Sequence, residues 1–407
     1  MRSKDIVIMC QFFYPEYITS ALLPYQTAEY LTSSGISVDV LCGYPQEYVS
    51  DDKEKIKRNE NLHNINIHRV KYLQLSRNNK ILRLVNYFSF VLSMFFQLPK
   101  TRKYKSIIVY SNPPILPLVA ILANILFGTE IIFVCYDVYP EIAEKTKVLS
   151  SNSLISKFMK RVNNQLFKRA ASVIALSEDM KRYLVTNRNI QPDKVAVIPN
   201  WATEERSIKT TETLYNKNDD ETFIITYLGN MGIPQDLDTI LEAMNNKLLK
   251  NNIKFKFIFA GHGNQKDKIK EFINVNNITN VEIHGFLTGD KLNNLINQTD
   301  AFLVTLKKEL LGLAVPSKFY TYLLQGKKII NIMSEEADIS KEINKYKLGK
   351  TIVNGDDVAL VNEIISLSKE KIDINNNSIY YKYYSKDIQL EKYHSVVLEV
   401  IGGSKNV

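Results

Sequence analysis

One stretch constrains this chain more than any other: Phe223 to Met244, FIITYLGNMGIPQDLDTILEAM. β-Branched and aromatic residues from Phe223 to Leu228 read as a strand, and Gly229, Gly232 and Pro234 break it. Apolar residues at Leu237, Ile240, Leu241 and Met244 then recur with helical period. Strand, glycine turn and helix in this order aim backbone N–H groups and a helix N-terminus at one spot, where aligned peptide dipoles favour an anion such as phosphate. The plainer reading is that the glycines serve turn geometry alone.

The same grammar recurs downstream. Lys256–Ala260 reads as a strand running into Gly261-His262-Gly263 and a helix from Gln265; Val281–His284 is a strand ending at Gly285. Ala301–Thr305 is a short strand, Val315-Pro316-Ser317-Lys318 opens an apolar helix that stops at Gly326, and Lys328–Ile332 is the next strand. In an open parallel sheet ligands bind outside the carboxyl ends of the strands, so Gly229, Gly261 and Lys318 are expected to line one crevice.

The first half alternates in the same way, with strands at Asp5–Gln11, Ser37–Cys42, Ile65–Arg69, Ser106–Ser111, Glu130–Tyr136, Ser172–Ala175 and Val195–Ile198. Helices are expected at Leu22–Leu31, at Ile115–Phe127 (buried) and at Leu154–Ala170 (basic and amphipathic). Charged Asp51–Asn61 reads as a mobile loop, and 202–221, rich in Thr, Asn, Lys, Glu and Asp, as a linker. At 407 residues the chain is too long for one typical core. Alternating strands and helices on either side of a linker therefore predict an α/β protein of two domains, 1–200 and 201–386, each with a parallel sheet.

Charge is unevenly placed. Residues 1–200 carry 26 Lys and Arg against 16 Asp and Glu, net +10, which leaves −1 for 201–407 out of the chain's +9. A basic first half fits an anionic partner, membrane or nucleic acid. Cys10, Cys42 and Cys135 sit at or near strand ends without C-x-x-C spacing, as reduced thiols of a cytosolic protein do. No secretory signal pattern opens the chain, which points the same way.

Ile81–Leu98, ILRLVNYFSFVLSMFFQL, would form a helix with one narrow polar stripe, Asn86, Ser89, Ser93 and Gln97, and apolar residues almost all round. Such a helix is either buried on most sides or inserted in a membrane surface. Its roughly 15 apolar-dominated residues are fewer than the roughly 20 needed to span. The flanking Arg77, Lys80, Arg83, Lys100, Arg102, Lys103 and Lys105 suit anionic headgroups.

The motifs CQFFYPE, SNPP, FVCYDVYPE, ALSEDMKRYL, VIPNW, YLGNMGIPQDLDTILEA, FAGHG and VPSKFYTYLLQGK follow one another in this order over nearly the whole chain. In that order they resemble the retaining GT-B glycosyltransferases of family 4, and within it the bacterial transferases of capsule, O-antigen and exopolysaccharide synthesis. The resemblance implies two Rossmann-like domains facing across a cleft, with the nucleotide-sugar donor on the second, a lipid-linked sugar acceptor on the first, and a final helix near 387–401 crossing back. It implies a peripheral place on the cytoplasmic face of the cell membrane, and no metal; no D-x-D motif is present.

Position by position, the resemblance places Gly229 and Asn230 against the donor diphosphate and Lys318, in Pro316-Ser317-Lys318, as the cation beside it. Gly261, His262 and Gly263 match the turn next to the nucleobase, and Asp137 and Glu141 the acidic segment near the acceptor. The chain departs from the family where Tyr136 replaces a His, Thr321 the ribose-binding Glu, and Leu313 its upstream partner. These departures keep open a non-catalytic partner subunit and a GT-B nucleotide-sugar epimerase. A nucleic-acid binder has no recognised module behind it.

Overall fold

The computed structural model describes residues 3–45, 56–75, 80–203, 222–370 and 377–403. The chain divides into two units: Met1–Thr203 with Gly312–Val315 and Lys386–Val407, and Glu204–Leu311 with Pro316–Ser385.

The first unit runs β1 (Lys4–Cys10), α1 (Thr19–Ser33), β2 (Val38–Gly43), β3 (Asn59–Leu62), β4 (Ile65–Val70), α2 (Lys80–Phe95), β5 (Tyr104–Tyr110), α3 (Pro117–Phe127), β6 (Glu130–Cys135), α4 (Glu141–Lys145), α5 (Leu154–Arg169), β7 (Ser172–Ala175), α6 (Glu178–Arg188) and β8 (Val195–Val197). Its sheet is ordered β3, β4, β2, β1, β5, β6, β7, β8, and only the β3–β4 pair is antiparallel. The central strands are continuous apolar runs because both faces are covered: Ile6 to Met9 and Ile107 to Val109 have no solvent exposure.

The second unit runs β9 (Phe223–Asn230), α7 (Leu237–Asn245), β10 (Phe255–His262), α8 (Lys266–Val275), β11 (Val281–His284), α9 (Gly289–Gln298), β12 (Ala301–Thr305), α10 (Lys318–Gln325), β13 (Lys328–Ile332), α11 (Asp338–Tyr346), β14 (Gly349–Ile352), α12 (Asp357–Leu367) and α13 (Asn377–Ile379), which continues as a π-helical turn. The sheet is fully parallel, ordered β11, β10, β9, β12, β13, β14. The direction of winding reverses between β9 and β12, which pair only at Ile225 with Ala301 and Thr226 with Phe302 and then part. The last helix, α14 (Lys386–Gly403), belongs to the first unit and packs on α1.

Three expectations need correction. Asn59–Asn61 is not loop but the start of β3, paired antiparallel with β4; 51–55 lie outside the described residues, as do 204–221 of the linker. The α3 helix is not buried throughout: Ile125 and Leu126 in its last turn are exposed. The third concerns α2, whose polar stripe faces inward. Asn86 accepts from Leu75 N at 2.8 Å and donates to Leu75 O at 2.8 Å, Ser89 accepts from Leu73 N, and Ser93 donates to Lys71 O. The stripe thus satisfies the backbone of the extended segment 71–75, which has no strand partner of its own among the described residues. Phe90 and Met94 are buried beside it, and Leu84, Val85, Phe88, Leu92, Phe95 and Phe96 are left in solvent.

Candidate active site

In the second unit the carboxyl ends of β9 and β10 lie side by side, with Gly229 opposite Gly261 and Asn230 opposite His262. Gly229, Gly261 and Gly263 take φ of +139°, +144° and +146°, a region closed to side chains. A Cβ at Gly261 would stand 1.9 Å from Gly229 O, and one at Gly263 2.2 Å from Met231 O, so these two glycines let neighbouring backbones approach. Gly229 differs. A Cβ there would meet only Lys318 Cγ, at 3.7 Å, so the open side of Gly229 faces the lysine.

The turn after β9 is knitted internally. Met231 N donates to His262 O at 2.6 Å, Gly232 N to Gln235 Oε1 at 3.0 Å, and Gln265 N to Met231 O at 3.0 Å. The N-terminus of α7 is closed as well. Asp236 caps it, accepting from Thr239 N at 3.4 Å and from Thr239 Oγ1 at 2.7 Å, and Asn354 also donates to its carboxylate. A carboxylate on that helix end disfavours a second anion there, so the convergence of turn N–H groups and α7 expected from the sequence is not what the fold builds.

The end of α10 has the opposite character. Ser317 makes no capping bond with its side chain, the first turn holds no acid, and Lys318 stands half-buried at its first position. Pro316 and Ser317 provide carbonyls to the first turn, accepting from Phe319 N and Tyr320 N at 3.2 Å each. The helix is held to β9 by Tyr322, whose hydroxyl accepts from Leu228 N at 3.1 Å and donates to Leu228 O at 2.9 Å. The Tyr322 ring stacks on Phe302 of β12, centroids 4.1 Å apart, in the gap where β9 and β12 part. Sequence reasoning missed Tyr322; its only trace was aromatic density in KFYTY. Thr321 is buried at 4% exposure beside it. His262 stays exposed and meets Phe286, itself half-exposed after β11, edge to face at 6.0 Å.

In the first unit the acidic segment follows β6. Tyr136 N and Asp137 N both donate to Ser111 Oγ, at 3.0 and 3.1 Å, so the SNPP turn after β5 supports it. Gly312–Val315, part of this unit, adds a bridge from Ala314 to Asp137 and an acceptor, Leu313 O, for Val138 N at 2.9 Å. Asp137 caps no helix, since α4 begins at Glu141 after Pro140. It lines a cavity of about 10 Å³ with Ser111, Cys135, Tyr139 and Asn163, room for about one water. Its carboxyl keeps some solvent contact but is crowded by protein, and this desolvation pushes its pKa up to about 6. Glu141 is paired with Arg188 at 2.8 Å, both side chains largely buried, and Arg188 also donates to Tyr139 O at 3.0 Å. That pair ties the segment to α6.

Cys10, Cys42 and Cys135 are buried free thiols; burial raises all three, Cys42 to about 12. Among the described residues no three His, Cys, Asp or Glu side chains converge to hold a metal ion, and no helix is long and apolar enough to cross a membrane.

Two α/β domains with parallel sheets make the GT-B fold, and the similarities that follow make the chain a GT-B glycosyltransferase. The family description Glycosyltransferase Family 4 matches residues 24–206, and Glycosyl transferases group 1 matches 211–316. The chain is 27% identical to "Probable glycosyltransferase WbjE" of Pseudomonas aeruginosa over 75% of this chain and 77% of that one. It is 22% identical to WcaI of Escherichia coli K12, named for colanic acid biosynthesis, over 74% and 76%. The structure of Anabaena HepE in complex with UDP and glucose superposes with a TM-score of 0.70 at 13% identity, covering 97% of this chain and all of that one.

Proposed function

We propose that this chain is a retaining transferase of family 4 that moves a hexosyl or N-acetylhexosaminyl group from a nucleoside diphosphate sugar to a lipid-linked acceptor in bacterial surface polysaccharide synthesis. The carrying observation is the pairing of Gly229 with Lys318 at an uncapped helix end. Backbone that a side chain would obstruct, an ammonium and a helix dipole meet there, a setting in which a diphosphate gains charge as it leaves. The colanic acid name of WcaI and the UDP and glucose in the HepE structure support the substrate classes.

In this reading the acceptor oxygen bonds to the anomeric carbon on the face the diphosphate leaves, as the bond to the diphosphate oxygen breaks. The acceptor proton passes to the departing diphosphate. Lys318, Gly229, Asn230 and the start of α10 hold the diphosphate, and Gly261, Gly263, His262 and Phe286 border the base. Asp137 faces the acceptor, and Glu141 acts through Arg188 as a positioning residue. No metal is assigned a role. The lipid acceptor is reached from the cytoplasmic surface of the membrane, with the outward apolar face of α2 and the nearby Arg83, Lys100 and Arg102 against anionic lipid.

The test is Lys318→Ala in a transfer assay, after a thermal-shift panel of UDP-, GDP- and dTDP-sugars has found the donor. Turnover should fall by about two to three orders of magnitude with little change in melting temperature. Wild-type turnover in the variant would remove Lys318 from the site. One observation favours a second reading, a non-catalytic partner subunit: Thr321, buried where the family has a ribose-binding Glu. Absence of any nucleotide-sugar shift, with stabilisation of a co-expressed transferase, would establish it.

A further inference from the structure

The acidic residues of the first unit are absent from two long runs. From Asn61 to Thr129 there is no Asp or Glu and nine Lys and Arg; from Lys145 to Ser177 there is again none, with seven. Of the exposed large apolar side chains among the described residues of this unit, all but Tyr17 and Leu398 lie in these two runs. The first run contains α2. The second contains α5, whose first turns expose Leu154 (84%), Ile155 (41%) and Phe158 (45%). Exposed Lys157, Arg161 and Lys168 continue the same side of the helix.

From this coincidence we infer that the N-terminal half of α5 is a second membrane contact, and that α2 and α5 form one docking face for an anionic bilayer. The two helices belong to one layer, since α2 packs on α3 and α3 on α5. A link between the acceptor segment and this layer runs through Tyr139, whose carbonyl accepts from Asn163 of α5 at 2.8 Å. Apolar side chains alternating with cations on one exposed surface fit the boundary between headgroups and acyl chains, where both are satisfied at once. A protein partner would need matching carboxylates for the same cations. The acids of α4, in the segment before α5, are already engaged, Glu144 with Lys160 and Glu141 with Arg188. The inference rests on the membrane-surface reading of α2 and adds a second, separable contact to it.

The experiment is sedimentation of the full-length protein with phosphatidylcholine vesicles, with and without phosphatidylglycerol. The doubles Leu154→Ser with Phe158→Ser and Lys157→Glu with Arg161→Glu should each weaken binding to the anionic vesicles by at least about tenfold. Their melting temperatures should stay unchanged, because all four side chains are exposed. A dye on Leu154→Cys, placed selectively because the native thiols are buried, should shift to the blue on anionic vesicles only. Wild-type binding by both doubles, with no dye shift, overturns the α5 contact, and loss of binding in Phe88→Ser with Phe95→Ser and Phe96→Ser would then leave α2 standing alone. If wild-type protein prefers anionic vesicles no more than neutral ones, both contacts fall. If only the charge reversal weakens binding, adsorption is electrostatic and insertion of α5 is overturned.

Discussion

The hydroxyl of Tyr322 satisfies both halves of one residue's backbone, accepting from Leu228 N at 3.1 Å and donating to Leu228 O at 2.9 Å. This is the peptide edge that β12 would pair if it ran on beside β9, so a helix side chain replaces a strand at the switch point. Leu228 precedes Gly229, and Tyr322 lies one helical turn beyond Lys318, so the bond sets the separation of glycine and lysine. Tyr322→Phe retains the stack on Phe302 but leaves a buried N–H and C=O unpaired. It should lower stability by about 1–3 kcal/mol, read by denaturant unfolding. The Michaelis constant for the donor should rise with it; an unchanged donor constant would separate the bond from the site.

Gly261→Ala and Gly229→Ala should differ in kind. The first drives a methyl into backbone 1.9 Å away and should cost on the order of 3 kcal/mol or more. The second strains φ but has space in front of it, so the variant should fold and lose donor affinity. Melting and calorimetry with the nucleotide check both; equal destabilisation would show that Gly229 is structural only.

Asp137→Asn should have a pH-dependent effect on stability. The folded carboxyl is held near pKa 6 by desolvation, above its ordinary value of 3.8. The folded protein therefore binds the proton more readily than the unfolded one, and the wild type loses stability as pH rises from about 4 to 6. Asparagine resembles the protonated form. Its stability relative to wild type should increase over that window by on the order of 1–3 kcal/mol and level off above pH 7. A difference that does not change between pH 4 and 8 would show that the carboxyl titrates normally.

Thr321→Glu introduces a carboxylate at a position with 4% exposure. Without ligand the variant should melt lower, by an amount matching about 1–3 kcal/mol. If ribose hydroxyls reach this side chain, the donor should raise the variant's melting temperature more than the wild type's. Equal shifts would place the ribose elsewhere.

Local pattern in the sequence determined the strands, the glycine turns and the helix that begins at Lys318, because period and backbone freedom depend on residues a few positions apart. The same information marked Gly229 and Lys318 as candidates, each by its own residue type. Partners distant in the chain were decided only by the tertiary structure. Tyr322 reaches Leu228 across 94 residues and Arg188 reaches Glu141 across 47. Neither aromatic density nor a charge in a helix names its partner, so an acid that looked available to an acceptor proves to be half of a buried ion pair. Which helix start carries a side-chain cap was decided the same way: Asp236 looks like an ordinary cap in the sequence, and only the fold shows it, with Asn354 upon it, closing α7, while Ser317 makes no such bond at α10. In α2 the sequence determined a narrow polar stripe, but which way it faced depended on the extended backbone of 71–75. The stripe pairs with those peptide groups, and Phe88, Phe95 and Phe96 were left facing solvent.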